Sequence, residues 1–258
     1  MNWFPQIGAG SIAQFPLRRV RRWRSITNML ECGEQIVLPD PGAGQIEWRL
    51  AYQDLSDSEV EGLQELFSAS KGSYGAFGFV DPLANLLAWS EDLSRPDWQP
   101  GSLSVAGSIN DPLGGHGAWS LSNGSPGALS LTQSVGLPGS YILCFSAWIR
   151  SDSPSTVTLL RDGVQSNIAA GSAWKRAFVS GRGTNGAASS TLSISVAPGQ
   201  TAQVFGLQAE AQPYPSQYKP STAGSGIYEE TYFASDELTI TSTAPGLSQC
   251  EMTLLSRV

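Results

Sequence analysis

Apolar and polar residues alternate in short runs along the first third of the chain, and these runs predict two kinds of element. Residues 46–52 alternate over a full strand length, which is typical of a half-buried β-strand. Ser56 and Glu59 follow with the spacing of a capping box, and Lys71 with Gly72 supplies a stop signal. The apolar residues between these signals have helical spacing, at Val60, Leu63 and Phe67. The pattern predicts one short amphipathic helix and no other convincing one.

Beyond this helix the pattern changes to strands separated by turn residues. Residues 74–80 are predicted to form a strand that Asp81 and Pro82 end. From Asn85 onward Gly, Ser and Thr are dense, and short alternating runs recur roughly every ten to fifteen residues. These runs are residues 129–133, 141–149, 156–159, 191–196 and 202–208. Such spacing predicts an antiparallel β-sandwich, which we place at residues 84–225 as a second domain.

The last part of the chain, residues 226–258, holds two further strand patterns, at 238–241 and 250–254. A segment this short does not bury a stable core alone, because domains below about 40 residues usually need staples or partners. We therefore expect it to complete the sheet of residues 1–83. The sandwich is then an insertion into a discontinuous first domain, which close domain termini make easy.

Composition limits the chemistry that the chain can perform. Of its residues 41% are hydrophobic and 14% charged, and a single histidine, His116, excludes zinc sites that need two His ligands. The three cysteines have no CxxC spacing and are expected to be unpaired thiols. The N-terminus shows no signal-peptide pattern and no run approaches a membrane span of about 20 apolar residues. We expect synthesis in the cytoplasm and no membrane insertion.

Positive charge is concentrated in one strand-length segment. The net charge is −7, yet five of the 15 basic residues lie in residues 18–24, namely Arg18, Arg19, Arg21, Arg22 and Arg24. The acidic remainder would repel a nucleic acid, and no second basic patch continues the first. Arginine also suits ion pairs between subunits, because its planar fork binds carboxylates bidentately. The segment is predicted to be an oligomer interface, with a solvated strand as the alternative.

The acidic residues of the sandwich suggest no enzyme. None has a spacing that places two carboxyl groups face to face on one strand, so we predict no catalytic residue and no cofactor. Residues 111–117 form a glycine-rich loop that lacks a phosphate-binding pattern. Asp111 in this loop could serve a structural calcium ion, although a turn carboxylate is the simpler interpretation, and no metal site is predicted.

Aromatic residues are the more informative candidates for binding. The chain has eight tryptophans, and in residues 144–150 alternation places Ser146, Trp148 and Arg150 on one strand face. A tryptophan ring can stack on a sugar ring, and the guanidinium of a neighbouring arginine can donate hydrogen bonds to the sugar hydroxyls. Trp119 could join this surface, and Trp98 is a further candidate. The alternative is that these tryptophans cover hydrophobic surface between sheets or domains.

Taken together, residues 1–83 and 226–258 resemble the distal tail proteins of long-tailed bacteriophages and prophages and related minor tail proteins. The resemblance rests on Phe15-Pro16 with the arginine run, residues 47–56, the capped helix, residues 77–82 and the closing residues 250–255. It implies a mainly β protein whose first domain is a β-sandwich or split-barrel-like ring domain with one short helix. It also implies a ring homo-oligomer, expected to be a hexamer, between the tail tube protein and the tail tip or hub proteins.

The inserted part is similar to jelly-roll carbohydrate-binding modules of phage tail and baseplate proteins. The similarity lies in short sequence segments, namely residues 85–87, 90–92 with Trp98, 117–119, 145–148, 174–176, 206–210 and 215–218. The resemblance implies contact with host-surface glycans and assigns no sugar-binding residue. We expect a virion structural protein of the tail. The alternatives are a glycan-cleaving tail enzyme and a tail spacer whose sandwich has no ligand.

Overall fold

The computed structural model describes residues 1–8, 10–40, 42–224 and 226–258, which form two compact units. The first unit contains Met1–Gly8, Ile12–Asp81 and Ile227–Val258. The second contains Pro82–Gly226 and a short segment that includes Gly10 and Ser11. The fold is mainly β, with one helix and antiparallel sheets, which confirms the predicted fold class.

The first unit is built on a sheet to which both ends of the chain contribute. Its strand order is β1-β4-β17-β15-β5, and β16 also pairs with β17. β17 runs antiparallel to β4 from Ser248 opposite Leu55 to Arg257 opposite Gln45. A separate two-stranded hairpin is formed by β2 and β3. The strands are β1 (Arg18–Arg22), β2 (Ser25–Met29), β3 (Gln35–Pro39), β4 (Gln45–Leu55), β5 (Phe77–Val80), β15 (Ile227–Phe233), β16 (Ile240–Ala244) and β17 (Leu247–Arg257).

The helix α1 (Asp57–Ser70) lies between β4 and β5, where the sequence predicts it. At its start the Glu59 carboxylate accepts hydrogen bonds from Ser56 N at 2.7 Å and Ser56 Oγ at 2.6 Å. At its end Lys71 adopts a left-handed conformation with φ 53°, so it caps the helix and is not part of the last turn. No helix in the described ranges is long and apolar enough to cross a membrane.

Aromatic side chains fill the core of the first unit. Trp48 is fully buried, and its ring centroid lies 5.1 Å from that of Phe79. Phe4 contacts Phe79 edge to face at 5.5 Å. The alternation along β4 therefore places one set of its residues on a buried face, as predicted, because one side of the sheet packs on this core.

The second unit is an antiparallel β-sandwich of the predicted jelly-roll class. One sheet has four strands in the order β11-β10-β13-β8, and the other has five in the order β12-β9-β14-β7-β6. Phe145, Ile149, Leu159 and Ile194 are buried between the sheets. The strands are β6 (Ser104–Ile109), β7 (Ala118–Ser122), β8 (Leu129–Val135), β9 (Ile142–Arg150), β10 (Ser155–Arg161), β11 (Val164–Ala170), β12 (Lys175–Arg182), β13 (Ser190–Val196) and β14 (Thr201–Glu210).

Candidate functional site

Trp148 and Arg150 of the predicted aromatic surface lie on the face of the five-stranded sheet that points away from the four-stranded sheet, which we call the outer face. Strand register places Arg176, Trp148 and Phe205 in one row across β12, β9 and β14. The Arg176 guanidinium carbon lies 4.6 Å from the centroid of the Trp148 ring. This contact is a cation–π pair inside the protein, so one side of the indole already has a partner.

A segment of the chain itself, residues 212–221, covers this row, and we call it the cover segment. Its Tyr218 ring lies 5.5 Å from the ring centroids of both Trp148 and Phe205. Phe205 is consequently buried, and Trp148 is half-buried. Trp148 is therefore not the open plate that a stacked sugar ring would need.

Polar contacts hold the cover segment in place. Glu210 is buried, and its carboxylate accepts hydrogen bonds from Ser216 N at 2.9 Å and Lys219 Nζ at 3.3 Å. The Tyr218 hydroxyl lies 3.0 Å from Ser90 Oγ and donates to Glu91 Oε1 at 3.0 Å. Burial raises the pKa of Tyr218, so its hydroxyl stays protonated and remains a donor.

A glycine in β14 makes this packing possible. Gly206 has φ +60°, and the register of β14 shifts between Phe205 and Gln208. A Cβ atom at position 206 would lie 2.9 Å from the Trp148 ring. The bulge thus needs a residue without a side chain beside the indole.

Two of the predicted sugar contacts, Trp98 and Trp119, lie apart from the row of Trp148. Trp98 is only 2% exposed, and its indole donates to the Trp89 carbonyl at 3.0 Å, so its ring is buried. Trp119 pairs with Val204, a buried residue that faces the sandwich core. Opposed residues of an antiparallel pair lie on the same face, so Trp119 and Trp148 lie on opposite faces of the sheet. The Trp119 indole donates to the Glu91 carbonyl at 2.9 Å.

The next row contains Arg150 and Gln203, together with Trp174 and Asp152, and we call these four residues the Arg150 row. Among the described residues this row makes no hydrogen bond or ring contact with the cover segment. Arg150 Nε donates to Gln203 Oε1 at 2.5 Å, and Gln203 Nε2 donates to Asp152 Oδ2 at 3.1 Å. The Arg150 guanidinium carbon lies 5.0 Å from the centroid of the Trp174 ring. A pocket of about 250 Å³ adjoins Gln203 and is lined by Ser151, Asp152, Ser153, Pro154, Ser155, Gly199, Gln200, Thr201 and Gln203.

Sequence reasoning placed Arg150 on this surface and missed its neighbours. Asp152 continues the two-residue alternation of Trp148 and Arg150 past the end of β9, and this spacing could have predicted that Asp152 lies on the same face. Gln203 lies in the predicted run 202–208, but only the register shows that it faces Arg150. Trp174 precedes a strand that the alternation did not predict.

The arginine segment 18–24 makes ion pairs within its own unit. Arg19 lies 2.5 Å from the carboxylate of the buried Asp81. Arg22 lies 2.6 Å from Glu47, and Arg24 pairs with Asp40. Arg22 and Arg49 hold the pKa of Glu47 below its ordinary value. Arg18 lines a cavity of about 640 Å³. Arg21, like Arg18, is exposed, and the role of the five arginines at an oligomer interface remains a prediction.

The hairpin of β2 and β3 carries an unusual amount of exposed apolar surface. Every residue of both strands is exposed. Met29 is 79% exposed and Val37 57%, and Trp23, just before the hairpin, is 68% exposed. Cys32 is exposed at the turn. The other exposed apolar side chains here are Ile26, Leu30, Ile36 and Leu38.

The Asp111 loop is organised by its own backbone. The Asp111 carboxylate accepts hydrogen bonds from Leu113 N at 2.8 Å and from Gly115 N and Gly117 N, each at 3.0 Å. These bonds are those of a turn carboxylate. Across the described ranges no group of three or more His, Cys, Asp and Glu side chains is placed to hold a metal ion.

No protein-family model matches the chain, and no curated protein matches it significantly. Among solved structures, the enzymatically active domain of bacteriophage CBA120 tailspike protein 4 is 13% identical over 51% of this chain, with a TM-score of 0.39. This match covers 22% of the tailspike chain, so the chain spans about a fifth of that protein. The CBM22-1 xylan-binding domain of Paenibacillus barcinonensis Xyn10C is 12% identical over 51% of this chain and 97% of its own, with a TM-score of 0.42. The C-terminal family 22 carbohydrate-binding module of Clostridium thermocellum Xyn10B is 13% identical over 53% of this chain and all of its own, with a TM-score of 0.40.

Proposed function

We propose that this chain is a structural subunit of a phage tail, which self-associates through its first unit and binds host-surface glycans through its sandwich. The hairpin of β2 and β3 is the observation that carries the proposed self-association. An isolated two-stranded hairpin is marginally stable in water, and exposed contiguous apolar patches usually mark interaction sites. A hairpin that is exposed along both strands therefore supports a subunit whose fold is completed by assembly.

A second copy of the chain is the partner that we propose for the hairpin. In a homo-oligomer each copy carries both the hairpin and the surface that binds a neighbour's hairpin. The apolar surface of every hairpin is then covered by another copy of the same chain. Arg24 pairs with Asp40 at the base of the hairpin, where the two strands meet their unit. Arg18 and Arg21 on the neighbouring strand are exposed and can pair with carboxylates of that copy.

The finer role that we propose is that of a distal tail protein. The resemblance of residues 1–83 and 226–258 supports it, as does the shared sheet of β4 and β17. In this role the chain forms a ring, proposed to be hexameric, between the tail tube protein and the tail tip proteins of the virion. Weak sugar sites repeated around such a ring gain by avidity, by roughly 10²–10⁴-fold over one site.

The chemistry of the Arg150 row supports glycan binding by the sandwich. Sugar sites combine aromatic rings with a few fixed polar groups, and Trp174, Arg150, Gln203 and Asp152 provide both. No step of catalysis is proposed for these residues.

Electron microscopy of the purified full chain, alone and with polysaccharide from the host surface, tests the proposal. Closed rings that bind the polysaccharide without cleaving it are expected. Release of oligosaccharides would replace this function with a glycan-cleaving enzyme. Rings that bind no polysaccharide would leave a tail spacer, and particles that stay single would contradict the proposed assembly.

A further inference from the structure

A pocket beside the uncovered end of the outer face has a size and polarity that select a particular kind of sugar. It is lined by the loop after β9, the start of β10 and the residues that lead into β14. The cover segment contacts Trp148, Arg176, Gln208 and Glu210 along the sheet. None of these contacts involves Gln203 or Asp152. A ligand that approaches this face therefore finds its middle closed and its end, at the loops after β9 and before β14, open.

The polar groups of this end are held in fixed orientations. Gln203 is 9% exposed, and its amide is fixed from both sides, because it accepts from Arg150 and donates to Asp152. The Asp152 side chain is exposed, and its Oδ1 accepts no hydrogen bond from the described residues. Side chains that are already fixed lose little rotamer entropy when a ligand binds. Their fixed positions favour ligands whose hydroxyl groups match them.

The volume of the pocket limits the size of its ligand. At 250 Å³ it lies below the roughly 300–1,000 Å³ of sites that take drug-sized ligands. A site of this size accommodates one sugar residue more readily than a chain of several. The site therefore suits a terminal or branching sugar residue.

The charge of the pocket limits the class of sugar. Asp152 is the one charged residue in the lining, and a carboxylate accepts hydrogen bonds from hydroxyl groups strongly. The same carboxylate repels the acidic group of a uronic or sialic acid. Arg150 does not line the pocket, and its Nε is bonded to Gln203 Oε1.

Resting on the proposed glycan-binding function, we infer that the pocket of Asp152, Gln203 and Ser153 binds one neutral pyranose residue at the end of a host-surface glycan. Asp152 Oδ1 accepts from a sugar hydroxyl. Gln203 holds Asp152 in place through one hydrogen bond, and Arg150 holds Gln203 through another. Gln203 and Arg150 are therefore positioning residues for Asp152.

Saturation-transfer NMR of the full chain tests this inference with a panel of methyl glycosides. The neutral probes are the methyl glycosides of glucose, galactose, mannose and N-acetylglucosamine, and the acidic ones are those of glucuronic acid and N-acetylneuraminic acid. At least one neutral probe is expected to bind, and Asp152→Asn is expected to weaken it about five- to tenfold, because the hydrogen bond then has a neutral acceptor in place of a charged one. Asp97→Asn is the matched control, since Asp97 is also exposed on the sandwich and does not line the pocket.

The outcomes separate the pocket from the wider function. The pocket assignment is wrong if the full chain binds host polysaccharide and the neutral probes do not compete for it. It is also wrong if Asp152→Asn binds the probes unchanged. In both cases the chain binds glycans at another site. Preference for an acidic probe, strengthened by Asp152→Asn, overturns the neutral class. If neither the polysaccharide nor any probe binds, both the pocket and the glycan-binding function fail.

Discussion

Trp48 and Ser256 are joined by a hydrogen bond that connects two distant parts of the chain. The indole Nε1 of Trp48 donates to Ser256 Oγ at 3.0 Å, and both residues are fully buried. Ser256 Oγ also lies 2.7 Å from Thr231 Oγ1, so three strands meet at this hydroxyl. The first unit is thus one core built from residues on both sides of the inserted sandwich.

Removing this hydroxyl is expected to destabilise the first unit. Ser256→Ala leaves the buried Trp48 indole without an acceptor, which costs about 1–3 kcal/mol of unfolding free energy. Guanidinium unfolding followed by tryptophan fluorescence measures the change. Ser242→Ala is the matched control, because Ser242 is exposed on β16 and should change stability by less than about 0.5 kcal/mol. Equal stabilities of the two variants would contradict the structural role of this bond.

Glu47 is expected to make the first unit sensitive to acid. Arg22 and Arg49 lower the pKa of Glu47 in the folded state, so the fold favours the charged carboxylate. This stability is present above the unfolded pKa of about 4.3 and is lost as pH falls through the lower folded pKa. Glu47→Gln should be less stable at neutral pH and should lose less stability between neutral pH and acid, in urea unfolding series at several pH values. Glu65→Gln, on the exposed face of α1, should behave as the parent does, and an unchanged pH profile for Glu47→Gln would refute the assignment.

The Tyr218 hydroxyl is expected to lock the cover segment. Tyr218→Phe removes the bonds to Ser90 and Glu91 while keeping the ring contacts with Trp148 and Phe205. Hydrogen exchange should become faster in residues 212–221, by about five- to tenfold for a loss of roughly 1 kcal/mol. Tyr214→Phe is the control, because Tyr214 is 69% exposed. Equal exchange in both variants would mean that ring packing alone holds the segment.

Local patterns predicted the elements whose burial follows the chain itself. Residues 46–52 alternate because β4 has one face on the aromatic core, and the capped helix begins and ends within a residue of its signals. The hairpin of β2 and β3 escaped prediction because its apolar residues are exposed on both faces, so no buried stripe distinguishes it.

The site could be predicted only in part, because alternation shows which residues share a strand face and not what lies beside or above that face. Trp148 and Arg150 share a face as predicted, but the Tyr218 ring over Trp148 comes from a distant segment. The face on which Trp119 lies could not be predicted for the same reason, since it depends on pairing with Val204. Register and long-range cover are tertiary properties that no local spacing encodes.

Sedimentation velocity of the full chain over a range of concentrations tests the central claim, self-association through the hairpin. The parent chain is expected to sediment as a species several times heavier than the 27.4 kDa subunit. Met29→Glu combined with Val37→Glu places charge on the exposed hairpin and should give the subunit mass, whereas Leu113→Glu, at a 68% exposed position of the sandwich, should assemble like the parent. A parent chain at the subunit mass at every concentration, or a double variant that assembles unchanged, would contradict the account.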